Sequence, residues 1–272
     1  MADKILSLID KDGNATIALN RPEVHNAFDP EMVAQMTATL RELEANPKVR
    51  AVVLMGQGKN FCAGADIEHM RRSAGFTLEQ NREAALATAR MYYTLHTLRK
   101  PTIARAHGAV RGGGIGLVAA CDIAIGSLDA TFRLSEVRLG IVPAMISPYV
   151  IAAIGERQAR RYALSGEEFS SAEAHRIGLL HEIVEPDQLN PRISLLLADL
   201  YCGGPNAIVA AKQLIRRVAH AEVGEALVEE TADTIAAIRA TAEAQEGLGA
   251  FLEKRKAAWI KPASKKKNAE KQ

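Results

Sequence analysis

The chain has 272 residues, 48% of them hydrophobic and 24% charged, with a formal net charge of +2. That length allows one or two domains with a substantial core, and that balance excludes a disordered, collagen-like or disulfide-stapled chain. Cys62, Cys121 and Cys202 are widely spaced with no CxxC pair, which supports neither a disulfide framework nor a zinc site, and no export signal or long uncharged apolar run is read, so a reducing, cytoplasmic setting is expected.

Ile5 to Ile9 and Ala15 to Leu19 alternate around Asp12-Gly13-Asn14 and predict a β-hairpin. A loop follows from Glu23 to Ala27. Asp29 then stands as an N-cap with Pro30 at the first helical position, and Met32, Val33, Met36, Leu40 and Leu43 mark one buried helical stripe that ends at Asn46-Pro47. Ala51 to Met55 is a continuous apolar run, as expected of a strand buried on both faces. It delivers the chain to a glycine-bearing loop, Gly56 to Asp66. Leu78 to Arg99 is helical by propensity and stops at Lys100-Pro101. Thr102 to Ala104 predicts a second buried strand leading to Gly112-Gly113-Gly114. A helix follows from Ile115 to Ala120, then a strand at Ile123 to Ile125 and a short strand from Thr131 that ends in Glu136. Beyond Gly140 to Pro143 an apolar helix runs through Ile154. The remainder reads mostly as helix: Glu156 to Leu164, Ser171 to Ile177, Arg192 to Tyr201, Asn206 to Ala219, Glu225 to Thr241 and Gln245 to Lys256. Strand, helix and strand recur with donor-bearing loops at the strand ends, which argues for an α/β protein of repeated turns.

Chemistry concentrates in the two glycine loops. Without a Cβ in the way, a ligand atom can reach the backbone amides at Gly112 to Gly114, and the first amides of the helix lack intrahelical partners. Such donors suit a phosphate or an oxygen that becomes negative only during reaction. The same glycines also permit close packing of strand against helix. Gly114-Ile115-Gly116-Leu117-Val118-Ala119 fits the dinucleotide pattern G-x-G-x-x-A, with Glu136 about 20 residues on, but it lies mid-chain and Glu136 follows an extra apparent strand. His69, His107 and Asp122 are read as structural.

Several ordered segments together resemble the enoyl-CoA hydratase/isomerase (crotonase) family over nearly the whole length. They are Asn20-Arg21-Pro22 with Asn26-Ala27, Phe61 to Ile67, Lys100-Pro101 through Gly112-Gly113-Gly114 to Cys121-Asp122, Phe132 to Pro143, and Phe251 to Arg255. Phe132 to Val150 further resembles hydratases of branched glutaconyl-CoA thioesters, the methylglutaconyl-CoA type. The resemblance implies a spiral of ββα turns over residues 1–190 and a helical C-terminal trimerisation region over 191–260, giving homotrimers or hexamers. The substrate it implies is an acyl-CoA thioester, with no separate cofactor because coenzyme A is part of the substrate, and no metal. By the same resemblance the amides of Ala65 and Gly113 form an oxyanion hole, Val24, Ala63, Asp66 and Ile67 lie along coenzyme A, and Glu136 is the second of the family's two hydratase glutamates.

The first glutamate is missing, its place being taken by Gly116. Either Glu136 handles both protons of a water addition, or another group supplies one, or the reaction is a double-bond isomerisation that needs only one base. Gly116→Glu is expected to add ordinary hydratase activity if the helix start can take the side chain. Residues 261–272, with Lys261, Lys265, Lys266, Lys267 and Lys271 against Glu270, are expected to form a flexible, solvated basic tail. Neither a membrane nor a nucleic acid is an expected partner.

Overall fold

A computed structural model describes residues 3–260; the basic segment 261–272 lies outside the described residues. The chain divides into two compact units after Leu195.

The first unit begins with the expected hairpin, β1 (Ile5–Ile9) antiparallel to β2 (Asn14–Leu19). The turn is fixed by Asp10, whose Oδ1 accepts the amides of Asp12 and Asn14 at 2.8 and 2.9 Å. Helix α1 (Pro30–Ala45) is capped by Asp29, whose Oδ1 accepts the Met32 amide at 2.8 Å, and its buried residues are the predicted Met32, Val33, Met36, Leu40 and Leu43. Each such apolar side chain contributes about 1.5–3 kcal/mol by leaving water. Strand β3 (Ala51–Gly56) is buried along almost its whole length, on both faces, as a central parallel strand must be.

The main sheet has six strands in the order β1-β2-β3-β4-β6-β9, with β4 (Thr102–Ala106), β6 (Ile123–Ser127) and β9 (Glu182–Val184). From β2 onward every pairing in it is parallel. A second sheet has the order β5-β7-β8, from β5 (Ala109–Arg111), β7 (Thr131–Arg133) and β8 (Glu168–Ser170). The chain steps from β4 to β5, takes helix α4, returns through β6 and steps out again at β7. This is the spiral of ββα turns that the resemblance implies. Between β3 and β4 lie α2 (Ile67–Ser73) and α3 (Leu78–Thr97); α4 (Gly113–Ala120) follows β5, and α5 (Ser147–Ser165) and α6 (Ser171–Arg176) come later. Helix α1 packs on α3, and α4 on α5. The two helices expected on either side of Gly155 form one element with a break, for Gly155 is non-helical (φ 72°, ψ 159°).

Helix α7 (Leu189–Cys202) contains the division. The second unit holds α8 (Pro205–Val218), α9 (Glu225–Arg239) and α10 (Ala242–Leu252), as the sequence predicts. Glu243 caps α8, accepting the amides of Asn206 and Ala207 at 3.1 and 2.8 Å. Helix α10 stops short of the expected Lys256 because Lys254 turns to φ 54° and the Arg255 amide closes back on the Ala250 carbonyl at 2.9 Å. Val228, Leu248, Phe251 and Leu252 are exposed on this unit. Among the described residues no single helix is long and apolar enough to cross a membrane.

Candidate active site

Two loops that are far apart in sequence are brought together by backbone pairing. After β3, the loop is clipped by the fully buried Asn26, whose Nδ2 donates to the carbonyls of Gln57 and Asn60 at 2.9 and 2.8 Å while its Oδ1 accepts the Arg21 amide at 2.9 Å. The loop then forms a parallel bridge to β5: the Cys62 amide donates to Ala109 at 3.2 Å and the Arg111 amide to Cys62 at 2.9 Å. This seats Cys62 to Asp66 beside the turn from β5 into α4. Gly64 has φ 89°, and a methyl there would lie 3.2 Å from the Arg111 carbonyl oxygen and 3.8 Å from the Gly113 nitrogen, so the two glycine loops meet at this point.

The amides of Ala65 and Gly113, to which the resemblance points, lie on these two loops. The Phe28 amide donates to Gly64 at 2.7 Å and the Asp66 amide to Phe28 at 2.8 Å, a parallel bridge that turns the peptide groups of Ala65 itself away from Phe28. Ala65 is exposed, and Gly113 is half-buried between the buried Gly112 and Gly114. Gly112 takes φ 46° with ψ −115°, a conformation that needs glycine, and spends its own amide on the Arg133 carbonyl at 2.9 Å. Gly113 opens α4, where an amide has no intrahelical acceptor. Among the described residues neither the Ala65 nor the Gly113 amide has a hydrogen-bond acceptor.

Glu136 starts the short 3-10 turn Glu136–Leu139 just after β7. Its Oε1 would lie 3.0 Å from a methyl on Gly112, so the carboxylate stands over the turn that presents Gly113. Its Oε2 is buried and has no hydrogen-bond partner among the described residues. Burial raises its pKa above the ordinary glutamate range, against a smaller opposing effect of a backbone hydrogen bond. A carboxylate oxygen buried without a partner is costly to keep. Such groups concentrate where a proton has to be handled.

No carboxylate fits at position 116. A Cβ there would lie 2.2 and 2.8 Å from Cγ2 and Cβ of Ile146 and 3.0 Å from Cε1 of Tyr92. The condition on which Gly116→Glu was expected to add hydratase activity, room for the side chain at the helix start, is therefore not met: the space is filled by Ile146 and Tyr92. Gly113 is likewise hemmed in, since a side chain would meet the Tyr92 hydroxyl at 2.7 Å and the Phe28 ring at 2.9 Å.

The residues placed along coenzyme A by resemblance lie together. The Ala63 amide donates to the His25 carbonyl at 2.9 Å, joining the loop to the 3-10 turn Pro22–Val24. Val24 and Ile67 are exposed. Asp66 is buried and both its oxygens are engaged: Oδ1 accepts the His69 amide at 3.0 Å as the cap of α2, and Oδ2 pairs with Arg21 at 2.8 Å. Burial pushes its pKa up, but these hydrogen bonds and the Arg21 charge outweigh it and hold the carboxyl below its ordinary range.

Of the groups read as structural, His69 sets its ring edge-on to Phe76, with centroids 6.2 Å apart. Asp122 accepts the Thr102 amide at 2.7 Å, and His107 lies within 3.1 Å of the Gly58 carbonyl. The Cys62 thiol is buried, with its pKa pushed up to about 12, and stays neutral. Among the described residues there is no cluster of three or more His, Cys, Asp or Glu side chains suited to a metal ion. Tyr92 and Asn26 were not singled out for the site from sequence. For Tyr92 the available signal was a buried phenol, which needs a hydroxyl partner, on a helix face otherwise packed by Met91 and Leu95.

The sequence model of the enoyl-CoA hydratase/isomerase family matches residues 10–262. The short-chain-enoyl-CoA hydratase of Clostridium acetobutylicum is 31% identical over 92% of this chain and 95% of that protein. The crotonyl-CoA hydratase of Syntrophomonas wolfei is 29% identical over 96% of this chain and 99% of that protein. The crystal structure of an enoyl-CoA hydratase from Shewanella pealeana superposes with a TM-score of 0.91 at 37% identity, covering 94% of this chain and 96% of that one.

Proposed function

The chain belongs to the enoyl-CoA hydratase/isomerase family, and on that premise we propose that it adds water reversibly to the double bond of an α,β-unsaturated acyl-CoA, with Glu136 as the acid/base. The observation that carries this reading is the half-buried Glu136 carboxylate standing over Gly112, with its Oε2 buried and without a partner among the described residues, next to the open amides of Ala65 and Gly113. The thioester oxygen is received by those two amides. Glu136 takes a proton from water, the oxygen of that water bonds to the β carbon, and the double-bond electrons pass onto the thioester oxygen as an enolate. The proton then passes from Glu136 to the α carbon, which restores the carboxylate and completes the addition. Amides aimed at the developing charge lower this barrier, each by about 3 kcal/mol. No separate cofactor enters, because coenzyme A is part of the substrate, and Val24, Ala63, Asp66 and Ile67 border it.

A second reading is favoured by the filled space at Gly116. With one carboxylate, Glu136 suffices to carry a proton from one carbon to another, which is double-bond isomerisation. A branched glutaconyl-CoA is the finer substrate we propose, on the resemblance of Phe132 to Val150. A homotrimer or hexamer in the cytoplasm is the setting. A panel of enoyl-CoA thioesters with products identified by mass tests these readings together: hydration adds a water and isomerisation leaves the mass unchanged. An inert panel overturns both.

A further inference from the structure

We propose that Tyr92 is a positioning residue for this site, its hydroxyl holding the peptide that follows Gly113 so that the Gly113 amide faces the thioester oxygen. The inference rests on the acyl-CoA reading above. Three consecutive glycines have no side chains to lock their own turn, and glycine gives up more backbone freedom on ordering than any other residue. Something else has to hold them. Before the Gly113 amide, the Gly112 amide is tied to the Arg133 carbonyl at 2.9 Å. After it, the Gly113 carbonyl accepts the Tyr92 hydroxyl at 2.8 Å. The amide between is thus fixed from both sides, by β7 and by α3.

Tyr92 is suited to this task. It is among the largest fully buried side chains, and its ring runs along the first turn of α4, near enough to Gly116 that a Cβ there would lie 3.0 Å from it. Burial, reinforced by Cys62, Glu136 and Tyr149, pushes its pKa well above that of an ordinary phenol, so it remains a donor throughout the working pH range. The ring only fills space, whereas the hydroxyl reaches the donor turn. A phenylalanine separates the two contributions.

The test uses the full chain and an enoyl-CoA thioester labelled with carbon-13 at the carbonyl. The carbonyl stretch of the bound thioester is read by difference infrared spectroscopy, alongside kcat, KM and the melting midpoint. Tyr92→Phe should lower kcat by about three- to tenfold, what one neutral hydrogen bond is worth, leave KM nearly unchanged and diminish the red shift of the bound carbonyl. Leu40→Ala, a packing change in the buried stripe of α1 away from this turn, should lower the melting midpoint without altering that red shift. Replacing all five tyrosines by 3-fluorotyrosine, a stronger donor, should deepen the shift and keeps the proposal testable if Tyr92→Phe does not fold. An unchanged carbonyl shift in Tyr92→Phe, or in the fluorinated protein where that variant does not fold, overturns the role assigned to Tyr92. A wild-type complex with no red shift relative to free thioester overturns the acyl-CoA reading itself.

Discussion

Placing a single methyl on Gly116 measures how tightly the position of the missing carboxylate is filled. In Gly116→Ala the new Cβ would lie 2.2 Å from Ile146 Cγ2, well inside van der Waals contact, with Ile146 Cβ at 2.8 Å and the Tyr92 ring at 3.0 Å. Overpacking of this kind costs about 1–3 kcal/mol, while exchanging glycine for alanine inside a helix returns about 1 kcal/mol. The net expectation is a loss of up to about 2 kcal/mol. Ile146 is buried, so Ile146→Ala alone should cost about 2–5 kcal/mol. Because that change removes Cγ2, the double variant should be more stable than the sum of the singles by about 1 kcal/mol or more. Urea unfolding of all four proteins, with unchanged m-values, gives the coupling energy. Additive singles, or a Gly116→Ala protein stabilised by the full helix-propensity gain, would refute the claim that Ile146 occupies this space. Gly116→Glu should lose more stability than Gly116→Ala and gain no turnover on straight-chain enoyl-CoA.

Asn26→Ala strips hydrogen bonds from the carbonyls of Gln57 and Asn60 and from the Arg21 amide; leaving buried polar groups unpaired should cost about 3 kcal/mol in urea unfolding and loosen the loop that carries Ala65, lowering turnover as well. Glu136 has a folded-state pKa raised by burial, so its contribution to stability is fully present below the unfolded value of about 4.3 and is lost as pH rises through the folded pKa. Glu136→Gln should therefore melt higher than wild type at neutral pH, with the advantage shrinking to nothing in acid; an equal or lower melting point at pH 7 contradicts the burial of an ionised carboxylate. The exposed Val228, Leu248, Phe251 and Leu252 of the second unit lead us to expect self-association, and sedimentation that shows only monomer at micromolar concentration would contradict it.

The sequence was most legible where a period ran long enough to be counted. The buried stripe of α1 repeats over about three turns, and Asp29-Pro30 announces its start, so the element and its buried residues could all be named. The break at Gly155 separated two apolar patterns even though the chain continues helical beyond it. Strands β5, β8 and β9, three residues each, carry no measurable period and went unread, and β5 is the strand that aligns the two glycine loops. Boundaries drifted where a local backbone turn sets them, as at Lys254 beyond α10, where a non-glycine residue takes a positive φ. In the site, glycine-bearing loops after strands marked the donor loops, whereas the role given to Glu136 came from the family resemblance. The contents of the space beside Gly116 were hidden, because Ile146 and Tyr92 reach it through folding alone. For the same reason Asp66 could be placed in the right loop while its carboxylate's engagement with Arg21 and the His69 amide could not be foreseen.

The central claim is that one carboxylate, Glu136, carries the proton transfers of this site. It is tested most directly by turnover of Glu136→Gln on the best substrate of the enoyl-CoA panel, with thioester binding measured in parallel. The glutamine keeps the shape but cannot take up a proton, and general acid/base catalysis contributes about 10²- to 10⁴-fold. The account predicts a fall in kcat of at least about 10²-fold with binding nearly unchanged and a residual rate sustained by the Ala65 and Gly113 amides. Near-normal turnover in Glu136→Gln would contradict it and leave Glu136 a structural residue.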